Sequence, residues 1–161
     1  MNLLQRARAL YAAGRIHEAL EAAQAVCDRS PKNPEAWWLL GCVTRHVGLP
    51  AASDDAFRRC ASLTAERMLP YRVSPARFEL MVREARSVLA PEDRCRLEKM
   101  MIRIAQLPRS VDVQRGTAPD ALFVHRSGHP EVLTLYQVNH ENRSGSEATL
   151  LALIARSLTL S

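Results

Sequence analysis

The chain has 161 residues, 47% of them hydrophobic, a composition that belongs to a globular protein of one ordinary domain or two small ones and excludes a disordered chain. No run approaches the roughly 18 apolar residues of a membrane span, and Arg6, Arg8 and Arg15 interrupt the stretch where a secretory leader would need unbroken apolar residues, so the expected location is the cytoplasm. The formal charge of +5 comes from 22 Lys+Arg against 17 Asp+Glu, with Lys32 and Lys99 the only lysines; acids interleave with the arginines along residues 77–103, which argues against a basic nucleic-acid-binding face.

The first half repeats itself. Residues 3–31 laid over residues 37–65 give a period of 34: Leu3 falls on Trp37, Ala7 on Gly41, Leu10 on Thr44, Gly14 on Gly48, Ala19 on Ser53, Ala23 on Phe57 and Val26 on Cys60. Each copy has apolar or small residues at helical spacing, a glycine where two helices must turn, then a second helix with a small residue where the pair cross closely. Asn33-Pro34-Glu35 supplies an N-cap, a first-turn proline and an acid at the positive end of the helix dipole. Cys27, Cys42, Cys60 and Cys95 form no CxxC pair and read as free, buried thiols.

These residues resemble the tetratricopeptide repeat. Trp37-Trp38-Leu39-Leu40-Gly41, Gly48 and Phe57 carry the pattern in the second copy; Leu3, Ala7, Gly14-Arg15-Ile16, Ala19 and Pro31 carry it in the first. Thr44, Ser53 and Ala65 depart from the usual aromatic, alanine and proline. Two copies are fewer than the three or so that a free-standing array needs, so the last apolar face is expected to be covered by the second half of the chain. The resemblance implies a concave face lined by the first helix of each repeat, which places Leu4, Arg8, Tyr11, Ala12, Trp38, Cys42, Arg45 and His46 there. Arg8, Tyr11, Trp38, Arg45 and His46 are the candidate partner-binding residues, with the arginines suited to a carboxylate and the rings to flat apolar contact.

From Ser74 the texture changes. Ser74-Pro75 opens a helix with Phe78, Met81, Val82, Ala85, Val88 and Leu89 at helical spacing. Ala90-Pro91-Glu92-Asp93 breaks it and starts a second helix, whose stripe of Leu97, Met100, Met101, Ile104 and Leu107 runs to Pro108. Val111 with Val113, Leu122–Val124 and Val132–Val138 read as three short strands. Ser146-Glu147 then introduces a closing helix, apolar on more than one side and so expected to be buried.

This order resembles the minimal zincins, bacterial metallopeptidase-like domains of the α+β class. The resemblance rests on Phe78–Val82 with Glu84-Ala85 and Leu89, on Gly116 and Pro119–Phe123, on Leu133–Asn139, and on Leu153-Ile154 with Leu158. It implies an α+β fold with two domains: residues 1–70 as tetratricopeptide-like hairpins, packed on a zincin-like domain over residues 74–161 with two helices, about three short strands and a buried C-terminal helix.

In active zincins the last helix runs into HExxH, where two histidines one turn apart bind zinc and the glutamate acts as general base. Here the corresponding positions are Leu160 and Ser161, and His140-Glu141 has no second histidine. No catalytic residue, metal or cofactor is therefore assigned; His125, His129 and His140 are weak candidates for a three-histidine site. The expected function is that of a non-catalytic adaptor for a protein or peptide partner. The alternatives are a zinc metallopeptidase whose metal helix is truncated or split off, and nucleic-acid binding through the arginines.

Overall fold

In the computed structural model, which describes all of residues 1–161, the first helix α1 (Leu3–Ala12) starts from a capping box in which Asn2 and Gln5 exchange hydrogen bonds through side chain and backbone. It is followed by α2 (Ile16–Arg29), α3 (Pro34–His46) and α4 (Pro50–Leu63). The 34-residue period is visible in the backbone: Gly14 and Gly48, which turn α1 into α2 and α3 into α4, have φ of +76° and +78°, the left-handed region that glycine enters without strain. Asn33 caps α3 by accepting the Glu35 N–H at 3.1 Å, with Pro34 in the first turn.

Two departures from the repeat pattern are explained by α3. Where α3 and α4 cross, Gly41 has no side chain and the ring of Phe57 takes its place; a Cβ there would lie 2.6 Å from Phe57 Cε1. The carbonyl of Gly41 accepts the Ser53 hydroxyl at 2.6 Å, and Thr44 donates back to the Leu40 carbonyl at 2.6 Å. Both hydroxyls are buried, and both are satisfied. The core of these hairpins gathers Ala7, Tyr11, Ala19, Ala23, Val26, Leu39, Leu40, Val43 and Phe57.

The chain falls into two compact units. One joins Met1–Leu69 to a distant piece, Arg109–Pro119; the other joins Pro70–Pro108 to Asp120–Ser161. The second unit holds α5 (Pro75–Ser87), α6 (Pro91–Glu98), β1 (Met100–Ala105), β2 (Phe123–Arg126), β3 (Glu131–Tyr136) and two later helices. With nine helices and one three-stranded sheet, the fold is α+β.

The sheet order is β1-β3-β2, with β1 parallel and β2 antiparallel to β3. Phe78, Met81, Val82 and Ala85 of α5 pack with Leu97, with Leu133 and Leu135 of β3, and with Leu150, Ile154 and Leu158 of the closing helix. That helix, Glu147–Leu160, begins at Ser146, which caps the Thr149 N–H. It buries one stripe rather than every side: Leu160 at its end is 65% exposed.

Four expectations need correction. The helix expected to run from Pro91 to Leu107 ends at Glu98, and Met100–Ala105 is a strand, because Ile102 and Ile104 pair with Leu133 and Leu135 and back onto the core. Val111 and Val113 lie on a short helix, α7 (Ser110–Gln114), whose first turn is fixed by Asp112 reaching the Arg109 N–H at 3.1 Å. The strand expected to reach Val138 stops at Tyr136 and gives way to a helix, α8 (Gln137–Asn142); the closing helix is thus α9. Cys27, Cys42 and Cys60 are buried, but Cys95 on α6 is exposed.

α8 is unusual in being buried throughout and polar at every position but Val138. Gln137, Asn139, His140, Glu141 and Asn142 are each 6% exposed or less. Their side chains are largely bonded: Gln137 donates to the Val73 carbonyl at 3.0 Å, Asn139 to the Ala121 carbonyl at 2.8 Å, and Glu141 accepts the Val73 N–H at 2.8 Å. The segments around Val73 and Ala121 are thereby tied to this helix, each bond contributing about 1 kcal/mol.

Candidate functional site

The five predicted partner-binding residues all project from α1 and α3, and they fall into two groups. At one end Tyr11 and His46 meet edge to face, their ring centres 5.6 Å apart. Tyr11 is 8% exposed, so its ring is mostly covered. His46 Nε2 lies 2.9 Å from the Pro119 carbonyl oxygen. Since a carbonyl only accepts, Nε2 carries the proton and donates. Ala12 beside them is exposed, and Arg45 is half-buried.

At the other end a charge network closes over Trp38. Arg67, just past α4, forks onto Glu35 with Nε–Oε1 at 3.0 Å and Nη2–Oε2 at 2.9 Å, and Arg8 reaches the same Oε2 at 2.9 Å. The Arg67 guanidinium also lies over the Trp38 ring, 4.3 Å from its centre, while Trp38 packs on Phe57 at 4.9 Å. The hydrogen bonds from Arg67 hold the Glu35 carboxyl below the usual carboxylate range, against a weaker upward push from burial. The carboxylate that the sequence assigned to Arg8 is therefore supplied by Glu35 from within the chain. Arg67 was missed because nothing local marks it: it lies beyond the second repeat and reaches back over 32 residues to Glu35.

Arg67→Ala removes a bidentate pair whose two side chains are each 36% exposed, together with the contact to the Trp38 ring. It is expected to lower stability by about 1 kcal/mol, in keeping with a partly solvated ion pair on an aromatic face. The check is the urea midpoint followed by tryptophan fluorescence, since Trp37 and Trp38 are both in the helical hairpins.

The histidines considered for metal binding do not converge. His125 on β2 pairs with Glu131 across the hairpin at 2.9 Å, and His129 is exposed in the turn. His140 is buried, with Nδ1 2.8 Å from the Tyr136 carbonyl and Nε2 2.9 Å from Ser157 Oγ. The carbonyl fixes the proton on Nδ1, so Ser157 donates to Nε2. Burial pushes the His140 pKa down to about 4, and the ring is neutral at physiological pH. No group of three or more His, Cys, Asp and Glu side chains is placed to hold a metal ion. The Ser157–His140 pair has hydroxyl-to-imidazole geometry, but both residues are at most 1% exposed and no carboxylate orients the ring.

The second unit also has a groove of about 400 Å3 between α5 and β1, lined by Glu79, Val82, Arg83, Arg86, Ile102 and Ile104. Glu79 and Arg83 are paired one turn apart along α5, on its α5 wall, at 2.7 Å.

A tetratricopeptide repeat family model matches residues 2–41. The match covers the α1–α2 hairpin and α3 as far as Gly41, the residue on which the Phe57 ring rests. No curated protein and no solved structure matches the chain. No helix is long and apolar enough to cross a membrane.

Proposed function

We propose that the protein is a non-catalytic adaptor that holds a protein or peptide partner on the concave face of its tetratricopeptide-like hairpins, in the cytoplasm. The observation that carries this reading is the family match over residues 2–41, which takes in Arg8 and Tyr11 on α1 and Trp38 on α3; Arg45 and His46 continue α3 beyond it. Arg45 is the side chain best suited to engage an acidic group of the partner, because Arg8 is already engaged by Glu35. The second unit then serves as a scaffold, a zincin-like domain without its metal; its support is the chain order of the short motifs at Phe78–Val82, Pro119–Phe123, Leu133–Asn139 and Leu153-Ile154.

The test uses the full chain as bait in an affinity pull-down from the native host, read by mass spectrometry. Arg45→Glu changes no core contact and is expected to reduce recovery of the specific partner at least tenfold, while Arg58→Glu on α4 leaves it unchanged. Recovery of the same partner at full yield by Arg45→Glu and by a Tyr11→Ala, Trp38→Ala variant that still folds would show the face to be wrongly assigned. Near-stoichiometric zinc in the purified protein would overturn the non-catalytic reading of the second unit.

A further inference from the structure

Residues 109–119 lie in the chain between β1 and β2, yet they pack as part of the helical unit. Two anchors hold them. Val113 fills the notch left by the missing side chain of Gly14: a Cβ on that glycine would lie 2.3 Å from Val113 Cγ1. Six positions later, buried Pro119 gives its carbonyl to His46, whose ring is braced by Tyr11. Between the anchors the segment is folded on itself. Asp112 accepts from the Arg109 backbone and side chain, the Thr117 N–H returns to the Asp112 carbonyl at 3.0 Å, and Gly116 turns the chain at φ +99°.

We propose that the Tyr11–His46 end of the concave face, together with the Gly14 notch, is a peptide-binding site whose built-in occupant is residues 109–119, and that an outside partner enters only when this strap lifts. This deepens the adaptor reading and rests on it. The occupant defines the chemistry of the ligand: a small β-branched apolar side chain for the notch and, about six residues on, a backbone carbonyl held in an apolar setting, such as that of a proline, for the His46 N–H. Gly14 contributes only backbone to the notch and so offers a charged side chain no partner of its own. A strap seated for about nine-tenths of the time weakens an outside ligand about tenfold, because only the open fraction can bind.

The experiment uses full-length protein and a fluorescein-labelled synthetic peptide of residues 109–119 as the probe. Val113→Asp places a charge in the notch and releases the strap, and is expected to bind the probe about tenfold more tightly than the unaltered chain; Val113→Ser, a milder change that keeps the variant assayable if the aspartate unfolds it, gives an intermediate gain. Adding His46→Ala to either variant abolishes the gain. Equal affinity of the probe for altered and unaltered chains, or no binding by folded Val113→Ser, overturns the proposal. If the pull-down still depends on Arg45 in that case, only the strap falls and the adaptor reading stands; if the probe binds as expected while Arg45→Glu recovers the partner in full, the reverse holds.

Discussion

Phe57→Ala is expected to destabilise the helical unit by about 4 kcal/mol, near the top of the range for a buried aromatic. The ring is 1% exposed, lies against Trp38, and fills the space that Gly41 leaves open between α3 and α4. Its removal leaves a cavity that the backbone of two crossing helices cannot close. Gly41→Ala attacks the same contact from the other side. Its Cβ would sit 2.6 Å from Cε1 and 2.7 Å from Cδ1 of a ring with no room to retreat, so a loss of about 2 kcal/mol is expected despite the better helix propensity of alanine. The two changes relieve each other, because the added methyl enters the cavity left by the ring. The double variant is therefore expected to be at least about 1 kcal/mol more stable than the sum of the single losses predicts. Urea titrations followed by tryptophan fluorescence measure all four corners of this cycle. Strict additivity would mean that the ring and the glycine do not share the space described.

The second large effect is acid sensitivity centred on His140. Its folded pKa is pushed down to about 4, first by burial and then by the charge of Arg143, with the Tyr136 carbonyl pulling the other way. In the unfolded chain the ring titrates near 6.5. Between these two values the unfolded state binds a proton that the folded state refuses, so stability is complete above about pH 6.5 and falls as the pH drops toward 4. One proton refused over that window amounts to about 3 kcal/mol. His140→Gln is expected to be less stable at neutral pH, having lost ring packing against Phe78, but to show a flatter profile between pH 4 and 6.5. Thermal melts by far-UV circular dichroism across that interval supply the comparison. An unchanged slope in the variant would assign the acid sensitivity to other groups.

Local chemistry made much of the fold legible. Asn33-Pro34, Ser74-Pro75 and Ser146 mark helix starts because a cap needs only a side-chain acceptor and a free N–H nearby, and all three helices begin where the caps place them. The period of 34 exposed the paired hairpins for a similar reason: Gly14 and Gly48 answer to turn geometry, not to distant partners. What escaped depends on residues far along the chain. Leu97, Met100, Met101 and Ile104 satisfy helical spacing, while Met100, Ile102 and Ile104 satisfy strand spacing; the parallel partner Glu131–Tyr136, about thirty positions on, decides between them. α8 was hidden by its polarity, since Gln137, Asn139 and Glu141 look like surface residues until the backbone groups of Val73 and Ala121 arrive to bond them. At the candidate site, the residues on α1 and α3 could be counted from the repeat, but Arg67 and Pro119, which cover its two ends, could not.

The unequal placement of the cysteines gives the folded chain its own chemical reporter. Cys27, Cys42 and Cys60 are all buried in the helical hairpins, with the Cys27 thiol pushed up to about 11 by burial and by Asp28, whereas Cys95 stands exposed on α6. A disulfide reagent added to native protein therefore meets one reactive sulfur, and the remaining three become available only when the hairpins open. The slow phase of such a titration measures the opening of the tetratricopeptide-like unit by itself, in unaltered protein and without a ligand.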